Sequence, residues 1–280
     1  MIIPTYNRAP LLERAIRSVL AQRKSCAELI VVDDGSTDDT AGVVTRLADK
    51  AHLPVRLLHQ ENQGAAAARN LGISAAQGSL LAFLDSDDWW LPKKLAMQAA
   101  ALAAHPGFQI SHTRELWYRG GQRFNQKKKH DPPDGAVFTA SLGMCVIGMS
   151  TIMARRAVFD RYGLFDATLP CCEDYDLWLR VGCREPFLLV PEPLTCKEGG
   201  RPDQLSGQHR QGMDSFRIQS LCKLLDGCGL DPGQRCEAMV ELVRKCTIYG
   251  QGCLKHGRPE AGAHYLALAA HYQSSPEYIA

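Results

Sequence analysis

The amino-acid sequence predicts an α/β protein: a mostly parallel sheet flanked by helices, with a helical appendage at the C-terminal end. Short apolar segments in the first part of the chain alternate with segments of helical periodicity, as expected for strands joined by crossover helices. The last part of the chain shows helical patterns alone. We therefore expect a sheet domain over residues 1–205, divided into halves 1–105 and 106–205, and a helical extension over 206–280.

Each element is predicted from its own pattern. Strands are read from short apolar runs, and helices from apolar residues that recur at the spacing of one helix face. The first strand is short against a typical length of roughly five to six residues, which indicates a late start of the chain or a misassigned start codon. The early alternation is that of a Rossmann-like sheet. The predicted strands are 1–4, 28–34, 55–59, 80–85, 110–118 and 148–154. The predicted helices are 10–22, 65–76, a short helix ending at 162, one beginning near 173, and then 214–225, 231–256 and 259–271.

Composition narrows the classes of protein that fit. The 280 residues are 45% hydrophobic, enough for a sizeable core, and the net charge of +2 gives no general attraction to nucleic acid. No apolar run reaches the roughly 18 residues that cross a bilayer, so no transmembrane segment is expected. The 11 cysteines include no Cys-x-x-Cys pair, and no signal peptide precedes the first strand. These features favour reduced thiols and a cytoplasmic protein.

The most informative stretch is 80–90, where five apolar residues lead directly into Asp85, Asp87 and Asp88. Because alternate residues of an extended chain point the same way, Asp85 and Asp87 are expected to converge. A divalent cation would relieve their repulsion, and carboxylate oxygens favour Mg²⁺ or Mn²⁺. An acidic turn that caps the following helix explains the local pattern equally well.

Other polar clusters follow the predicted strands at the same, carboxyl-terminal edge of the sheet. They are Thr5 to Asn7, Asp33-Asp34, Asn62 to Gly64 and Asp85 to Asp88. Ligands of open α/β sheets bind at this edge, so the coincidence predicts a site. No Gly-x-Gly-x-x-Gly follows the first strand, so a dinucleotide fingerprint is excluded.

A second acidic cluster, Glu173 and Asp174, lies in the first turn of a predicted helix that also contains Asp176 and Trp178. Carboxylates near the positive end of a helix serve either as caps or as functional groups. The residues themselves leave both interpretations open.

Five motifs together carry a resemblance to a known family. They are Ile2-Ile3-Pro4-Thr5-Tyr6-Asn7-Arg8, Val31-Val32-Asp33-Asp34-Gly35-Ser36-Thr37-Asp38, Asn62-Gln63-Gly64 with Ala68-Arg69-Asn70, Phe83-Leu84-Asp85-Ser86-Asp87-Asp88-Trp89, and Glu173-Asp174 with Trp178. In this order and spacing the chain resembles the inverting family 2 glycosyltransferases of the GT-A fold, over about residues 1 to 220. The resemblance makes 1–105 a nucleotide-binding half and 106–205 an acceptor half.

The resemblance also implies roles for individual residues. Asp174 would be the general base, with Glu173 and Asp176 as weaker alternatives, and Asp87 the principal metal ligand, with Asp85 facing the ribose or the metal. Asp34 would accept a hydrogen bond from the base of the nucleotide. The nucleotide-sugar would be bound by Pro4, Thr5, Tyr6, Asp33, Asp34, Asn62, Gly64, Arg69, Asp85 and Ser86.

The implied donor is a nucleotide-diphosphate sugar, a UDP-sugar being favoured, with Mg²⁺ or Mn²⁺ as cofactor. The implied acceptor is a glycan or lipid-linked glycan of bacterial surface polysaccharide synthesis. A lipid-linked acceptor would place the enzyme at the inner membrane face, and dimerisation is left open. The Gly-rich stretch 198–207 is expected to form a loop that closes over the donor.

Two rival interpretations are weighed against this one. A haloacid-dehalogenase-like phosphatase also places Asp-x-Asp after an apolar strand, but there the motif usually follows the first strand. A non-catalytic, nucleotide-binding protein of the same fold is the other, and the intact acids argue against it because buried carboxylates are costly to keep charged.

Overall fold

The computed structural model describes residues 1–209 and 212–278. The strands are β1 (Ile2–Thr5), β2 (Leu29–Asp33), β3 (Val55–His59), β4 (Leu80–Ala82), β5 (Trp89–Trp90), β6 (Ile110–Arg119), β7 (Gln122–Phe124), β8 (Met153–Arg155) and β9 (Phe187–Gly199). The helices are α1 (Ala9–Leu20), α2 (Thr40–Ala48), α3 (Gly64–Ala75), α4 (Lys94–Ala104), α5 (Phe138–Leu142), α6 (Ala157–Tyr162), α7 (Glu173–Gly182), α8 (Leu205–Gln208), α9 (Met213–Gly227), α10 (Pro232–Lys255) and α11 (Pro259–Gln273). Short 3₁₀ turns lie at Lys128–His130, Met149–Thr151 and Pro276–Tyr278.

The amino-terminal sheet is parallel, in the order β1-β2-β3. Every residue of β1 and β2 is buried, as expected for strands that are apolar on both faces. Ile2 forms a parallel bridge with Phe83, and the N–H of Leu84 donates to the carbonyl of Ile2 over 3.1 Å. The segment after β4 therefore lies beside β1, and its acidic end comes to the edge where β1 and β2 also end.

The second sheet is mixed, in the order β4-β8-β6-β9-β5, with β7 paired to β6. The predicted α/β class with flanking helices and C-terminal helices is confirmed, and the antiparallel pairs are confined to this sheet. The predicted strand 148–154 is partly wrong. The Thr151 hydroxyl donates to the carbonyl of Gly148 over 2.6 Å, which closes a 3₁₀ turn and delays β8 to Met153.

The predicted loop 198–207 is also shorter than expected. Strand β9 extends to Gly199, and the short helix α8 begins at Leu205. The connection between them is thus only a few residues long, and it follows a strand whose Glu198 N–H donates to Asp88 over 3.2 Å.

Helix α7 is packed from two sides. Trp178 and Leu177 face the core that contains the second sheet, with the Trp178 and Phe187 rings 5.6 Å apart. Tyr175 and Leu179 face a separate apolar cluster built from α5, α9, α10 and α11. The C-terminal helices therefore hold α7 against the sheet, although the predicted division at residue 205 stays a prediction. Among the described helices, none is long and apolar enough to cross a membrane.

Candidate active site

The end of β1 provides an open polar surface. Thr5 is buried, and its hydroxyl has no hydrogen-bond partner among the described residues. Tyr6, the next residue, exposes 46% of its surface, while Pro4 is buried beneath it. A buried hydroxyl without a partner is costly, and an exposed aromatic ring offers a flat contact face. Both features fit a surface that a ligand covers.

Asp34 at the end of β2 fixes the loop after β3. Its carboxylate accepts hydrogen bonds from the N–H of Gln63 at 2.9 Å, the N–H of Gly64 at 2.8 Å and the side chain of Gln60 at 2.7 Å. The Asn62 side chain donates to the Asp34 carbonyl over 3.1 Å. Asp34 is only 3% exposed, so it shapes the loop by these contacts and presents little surface of its own.

Asp33 and Gly35 hold the neighbouring turn. Asp33 accepts the N–H of Ser36 over 2.9 Å and lies 3.3 Å from the Nδ1 atom of His59. Gly35 has a φ of +82°, and a Cβ there would lie 3.0 Å from the backbone nitrogen of Asn62. Only glycine satisfies both constraints, so the two loops can approach each other closely.

The predicted metal ligand Asp87 is held by arginines from two loops. Its Oδ2 atom lies 3.2 Å from Arg8 of the loop after β1 and is also ion-paired with Arg201 of the segment after β9. The side chain of Gln204 donates to the same oxygen over 3.3 Å. These contacts of the described residues reach Oδ2, so Oδ1 of Asp87 is left for another ligand.

Asp88 points into the protein. The Ser150 hydroxyl donates to Asp88 over 2.7 Å, and the backbone N–H of Glu198 donates over 3.2 Å. Burial and the neighbouring Asp87 raise the pKa of Asp88 well above its ordinary value. Asp88 therefore ties the acidic segment to β9, and Ser86 is likewise buried at 4% exposure.

Arg69 joins the two acidic clusters. One of its terminal nitrogens donates to Asp85 over 2.8 Å and the other to Glu173, so a single guanidinium links the end of β4 to the start of α7. Arg69 is 4% exposed and its cation lies 5.5 Å from the Phe165 ring centre. The sequence places Arg69 among the nucleotide-sugar contacts, and that role stays a prediction. The structure gives Arg69 a buried bridging role.

Asp85, Asp88 and Asp174 all interact electrostatically with one cation, Lys197 of β9. Despite burial, the pKa of Lys197 is raised, chiefly by Glu115 and also by Asp88, Asp85 and Asp174. A Cβ added at Gly148 would collide with Glu115 and would lie 3.6 Å from Lys197 Nζ, so this ammonium is in the wall behind the acids.

Asp174 itself is half-buried in the first turn of α7, where its carboxylate accepts the N–H of Tyr175 over 2.7 Å. It faces Cys145, whose pKa is raised by burial first and then by Asp174. A partly solvated carboxylate with one oxygen held by a backbone N–H can take a proton from a hydroxyl through the other oxygen. Asp174 is thus a candidate proton acceptor, and like Asp85 it lies close enough to Lys197 to raise the pKa of that ammonium.

The donor set fits a divalent cation held jointly with a substrate. No cluster of three or more His, Cys, Asp and Glu side chains able to hold a metal occurs within residues 1–209 and 212–278. Asp85 and Asp87 are each held through one oxygen, which leaves the second oxygen of each available. Mg²⁺ is commonly bound through one or two carboxylates and completed by phosphates and water, which suits this pair.

Sequence reasoning missed several residues of the site. Lys197 and Ser150 lie far along the chain from the acidic motif, and no local pattern marks them. Arg8 and Arg201 stand within segments that we singled out, yet their pairing with Asp87 depends on two loops meeting in space. The one available signal was the excess of carboxylates in the motifs, which requires cations nearby.

Comparisons with known proteins identify the family to which the chain is similar. The family model described as "Glycosyl transferase family 2" matches residues 1–163. An uncharacterized glycosyltransferase of Rickettsia felis is 35% identical over 70% of this chain and 32% of its own length, so the chain spans about a third of that relative. An Escherichia coli protein, named UDP-Glc:alpha-D-GlcNAc-diphosphoundecaprenol beta-1,3-glucosyltransferase WfaP, is 29% identical over 65% of this chain and 68% of its own.

Solved structures share the fold. TarS of S. aureus in complex with UDP aligns with a TM-score of 0.64 at 19% identity, covering 88% of this chain and 70% of that one. The mannosyltransferase PcManGT of Pyrobaculum calidifontis, in complex with GDP-Man and Mn²⁺, aligns with a TM-score of 0.65 at 20% identity, covering 99% and 76%. At such identities the alignments speak for the GT-A fold alone.

Proposed function

Since the chain belongs to glycosyl transferase family 2, we propose that it moves a sugar from a nucleotide-diphosphate sugar to an acceptor hydroxyl, with inversion at the anomeric carbon. The observation that carries the proposal is the meeting of the two acidic clusters. Arg69 donates hydrogen bonds to both Asp85 and Glu173. The carboxylates of Asp85, Asp88 and Asp174 contribute to the raised pKa of Lys197. A cation-binding group and a proton acceptor on opposite sides of one gap are what a direct displacement needs.

The nucleoside would lie on the carboxyl-terminal ends of β1 and β2. Tyr6 offers its exposed ring and Thr5 its unpartnered hydroxyl, and Asp33 and Asp34 stand at the adjacent strand end. The solved relatives in complex with UDP and with GDP-Man support a nucleotide donor but differ in the base. We favour a UDP-sugar, and the bacterial glucosyltransferase WfaP, named for UDP-Glc, supports that choice.

Asp87 and Asp85 would hold Mg²⁺ or Mn²⁺ through the oxygens that their arginine partners leave unused. A bound divalent cation would supply charge neutralisation for the departing diphosphate. Arg8 and Arg201 lie next to Asp87 and would add positive charge toward the same phosphates. The complex of PcManGT with GDP-Man and Mn²⁺ supports metal use by a protein of this fold.

Asp174 would act as general base. As the acceptor oxygen forms its bond to the anomeric carbon, the bond from that carbon to the phosphate oxygen breaks, and its electron pair leaves with the nucleoside diphosphate. The acceptor proton passes to the Asp174 carboxylate, a contribution of about 10²–10⁴-fold. Glu173 is unsuited to this role because it is 6% exposed and committed to Arg69. Asp176 is 2% exposed and is paired with Arg180 and Lys223.

The segment after β9 would close the donor site. Arg201 and Gln204 contact Asp87, and Asp203 pairs with Arg8 over 3.2 Å, so the segment already lies against the predicted metal ligand. Exclusion of water by this segment would protect the donor from hydrolysis. We expect slower hydrogen exchange over 200–209 when nucleotide and Mn²⁺ are added together; unchanged exchange would contradict the closure.

We further propose that the acceptor is a lipid-linked glycan of bacterial surface polysaccharide synthesis. The name of WfaP specifies a sugar on diphosphoundecaprenol, and that relative matches two thirds of its own length. Such an acceptor would bring the protein from the cytoplasm to the inner face of the membrane. Dimerisation stays open.

The decisive experiment separates binding from transfer. We expect Asp174→Asn to keep the thermal shift produced by nucleotide plus Mn²⁺ while sugar transfer falls at least about 100-fold. Asp160→Asn, an exposed aspartate of α6, serves as the matched control and should change neither property. Sugar transfer at the wild-type rate by Asp174→Asn would show that Asp174 is not the general base.

A panel of UDP-, GDP- and dTDP-sugars, each with and without Mn²⁺, identifies the donor. A stabilising nucleotide without turnover on any acceptor would favour the non-catalytic, nucleotide-binding alternative. A phosphatase mechanism would instead require Asp85 to become covalently phosphorylated, and the Arg69 bond to that carboxylate does not favour attack by it.

A further inference from the structure

A second cavity lies outside the donor site, where the C-terminal helices meet the sheet domain. Its volume is about 620 Å³, within the roughly 300–1,000 Å³ that ligand pockets occupy. Its walls come from α5, the segment after α5, and α10, and most of the lining is apolar. The lining residues are Lys129, Thr139, Ala140, Leu142, Gly143, Met144, Val146, Cys236, Glu237, Val240 and Glu241. We call it the α5–α10 groove.

The α5–α10 groove and Asp174 lie on two sides of one segment, 142–146. Leu142 and Val146 line the groove, while Cys145 between them faces Asp174. The Tyr175 hydroxyl, next to Asp174, donates to the Leu142 carbonyl over 2.6 Å. Segment 142–146 therefore borders both the groove and Asp174.

An exposed apolar residue marks the floor of the groove. Val240 of α10 exposes 46% of its surface although helix α10 packs against three other helices of the extension and of the sheet domain. Together with the mostly apolar lining around it, Val240 gives the groove an apolar surface that a ligand can cover. An acyl-like or isoprenoid chain would cover it.

The charges of the groove favour an anion at one end. Lys127, Lys128 and Lys129 are exposed, and none is within 4.0 Å of a carboxylate in the described parts of the chain. On the opposite wall, Glu241 is neutralised by Arg244 at 2.6 Å and by Lys245 at 3.2 Å.

Glu237 is hydrogen-bonded by the Thr139 hydroxyl over 2.7 Å, so its carboxylate is held back against α5. The lysine end is thus the positive one. A ligand with a long apolar part and a diphosphate matches an apolar trough that has the Lys129 ammonium at one end, with Lys127 and Lys128 next to Lys129 in the chain.

We propose that the α5–α10 groove binds the isoprenoid diphosphate portion of the acceptor. This rests on the lipid-linked acceptor put forward under the proposed function and adds where its lipid is held. The C-terminal helices then provide one wall of the acceptor site, and segment 142–146 passes between the lipid and the base. The diphosphate lies toward the Lys127 to Lys129 run.

The test uses three soluble probes with the intact protein: farnesyl diphosphate, farnesol and inorganic pyrophosphate, with binding measured by calorimetry. Val240→Glu should weaken farnesyl diphosphate and farnesol at least about 10-fold, because it puts a charge on the apolar floor. Ile248→Glu is the matched control, since Ile248 is 53% exposed on the same helix and does not line the groove. It should leave all three affinities unchanged.

Lys129→Glu separates the two ends of the groove. It should weaken farnesyl diphosphate about 5-fold and leave farnesol unchanged, and high salt should remove this difference. The proposal is overturned if Val240→Glu binds farnesyl diphosphate as wild type does, or if pyrophosphate binds as tightly as farnesyl diphosphate. A third outcome is that wild type and Val240→Glu bind anionic phosphatidylserine vesicles equally and neither binds farnesyl diphosphate. That outcome would overturn the proposal in favour of a membrane contact.

The readouts also distinguish the two proposals. Donor binding in the nucleotide thermal-shift panel does not involve the groove, so Val240→Glu should retain it. Failure of every nucleotide to bind would overturn the proposed function while the farnesyl probes still report on the groove. Donor binding without binding of the farnesyl probes would overturn the groove proposal and leave the proposed function standing.

Discussion

Replacing Arg69 with Met should destabilise the protein strongly. The loss of stability measures how strongly Arg69 links the two acidic clusters. Arg69 is 4% exposed and donates to Asp85 and Glu173, so its removal leaves two carboxylates without their cation. Glu173 is 6% exposed and has little access to water, whereas the Asp85 side chain is 29% exposed and can be partly hydrated. Most of the cost should therefore come from Glu173.

The expected size follows from buried ion pairs in general. Removing one partner costs about 3–5 kcal/mol, which lowers the melting temperature of a protein of this size by roughly 6–20 °C. Adding Glu173→Gln to Arg69→Met removes the stranded charge while keeping its volume. The double variant should recover about 1–3 kcal/mol relative to the sum of the single variants.

The loss of stability in Arg69→Met should depend on pH. Burial raises the pKa of Glu173, and Arg69 offsets part of that rise. Without Arg69 the pKa of folded Glu173 moves further above that of the unfolded chain, so the folded protein binds more protons. Stability then falls as pH rises through that interval, and the deficit of Arg69→Met should be smaller at pH 5 than at pH 8.

Urea unfolding at both pH values, with wild type, the two single variants and the double variant, measures all three quantities. A loss below about 1 kcal/mol for Arg69→Met would contradict a buried bridge. Strict additivity of the two substitutions would show that Arg69 and Glu173 do not interact. A deficit that grows toward low pH would refute the assigned direction.

Three further substitutions test other parts of the site and core. Lys197→Gln should destabilise the protein by about 1–3 kcal/mol in urea unfolding, because Glu115, Asp88 and Asp85 lose a neighbouring cation, and Lys197→Arg should restore part of the loss; an unchanged free energy of unfolding would exclude the interaction. Gly35→Ala, at a φ of +82° and facing Asn62, should cost about 1–2 kcal/mol in urea unfolding and raise the KM for the donor, and an unchanged KM would contradict the loop packing. Lys94→Met should remove a gain in stability that wild type shows as pH rises from about 7 to about 10, because burial lowers the pKa of folded Lys94 and the unfolded chain therefore binds the proton more tightly; the same gain in urea unfolding of the variant would contradict this.

The strand ends could be predicted from sequence because the rule that places them is local. An apolar run fixes a buried strand, and a polar residue directly after it must lie at the strand's end. Asp33 and Thr5 are the last residues of β2 and β1, whereas Asp85 lies three residues after the end of β4, so the predicted strand 80–85 ends earlier than expected. The family resemblance and the GT-A fold were confirmed by the family model and the solved structures.

The cations could not be predicted because they depend on pairings between distant segments. Strand β9 runs parallel to β6 with Lys197 opposite Trp117, and a register shift of one residue would turn Lys197 to the other face. The register itself shifts at irregularities near Arg114, which no pattern in the sequence reports. The roles of the predicted site residues stay predictions because those roles are defined by contacts with ligands.

The position of α7 makes the C-terminal helices part of the proposed chemistry rather than an appendage to it. One face of α7 packs on the sheet through Trp178, and the other packs on α9 and α10 through Tyr175 and Leu179. Asp174 lies in the first turn between these faces, so its distance from Asp85 is set by both contacts at once. Because a misplacement of about 1 Å can cost about 100-fold in rate, loss of the helical packing should reduce transfer before it reduces donor binding. The apolar cluster that joins α7 to α9 and α10 contains no residue of β1, β2 or β4, on which the donor site is built.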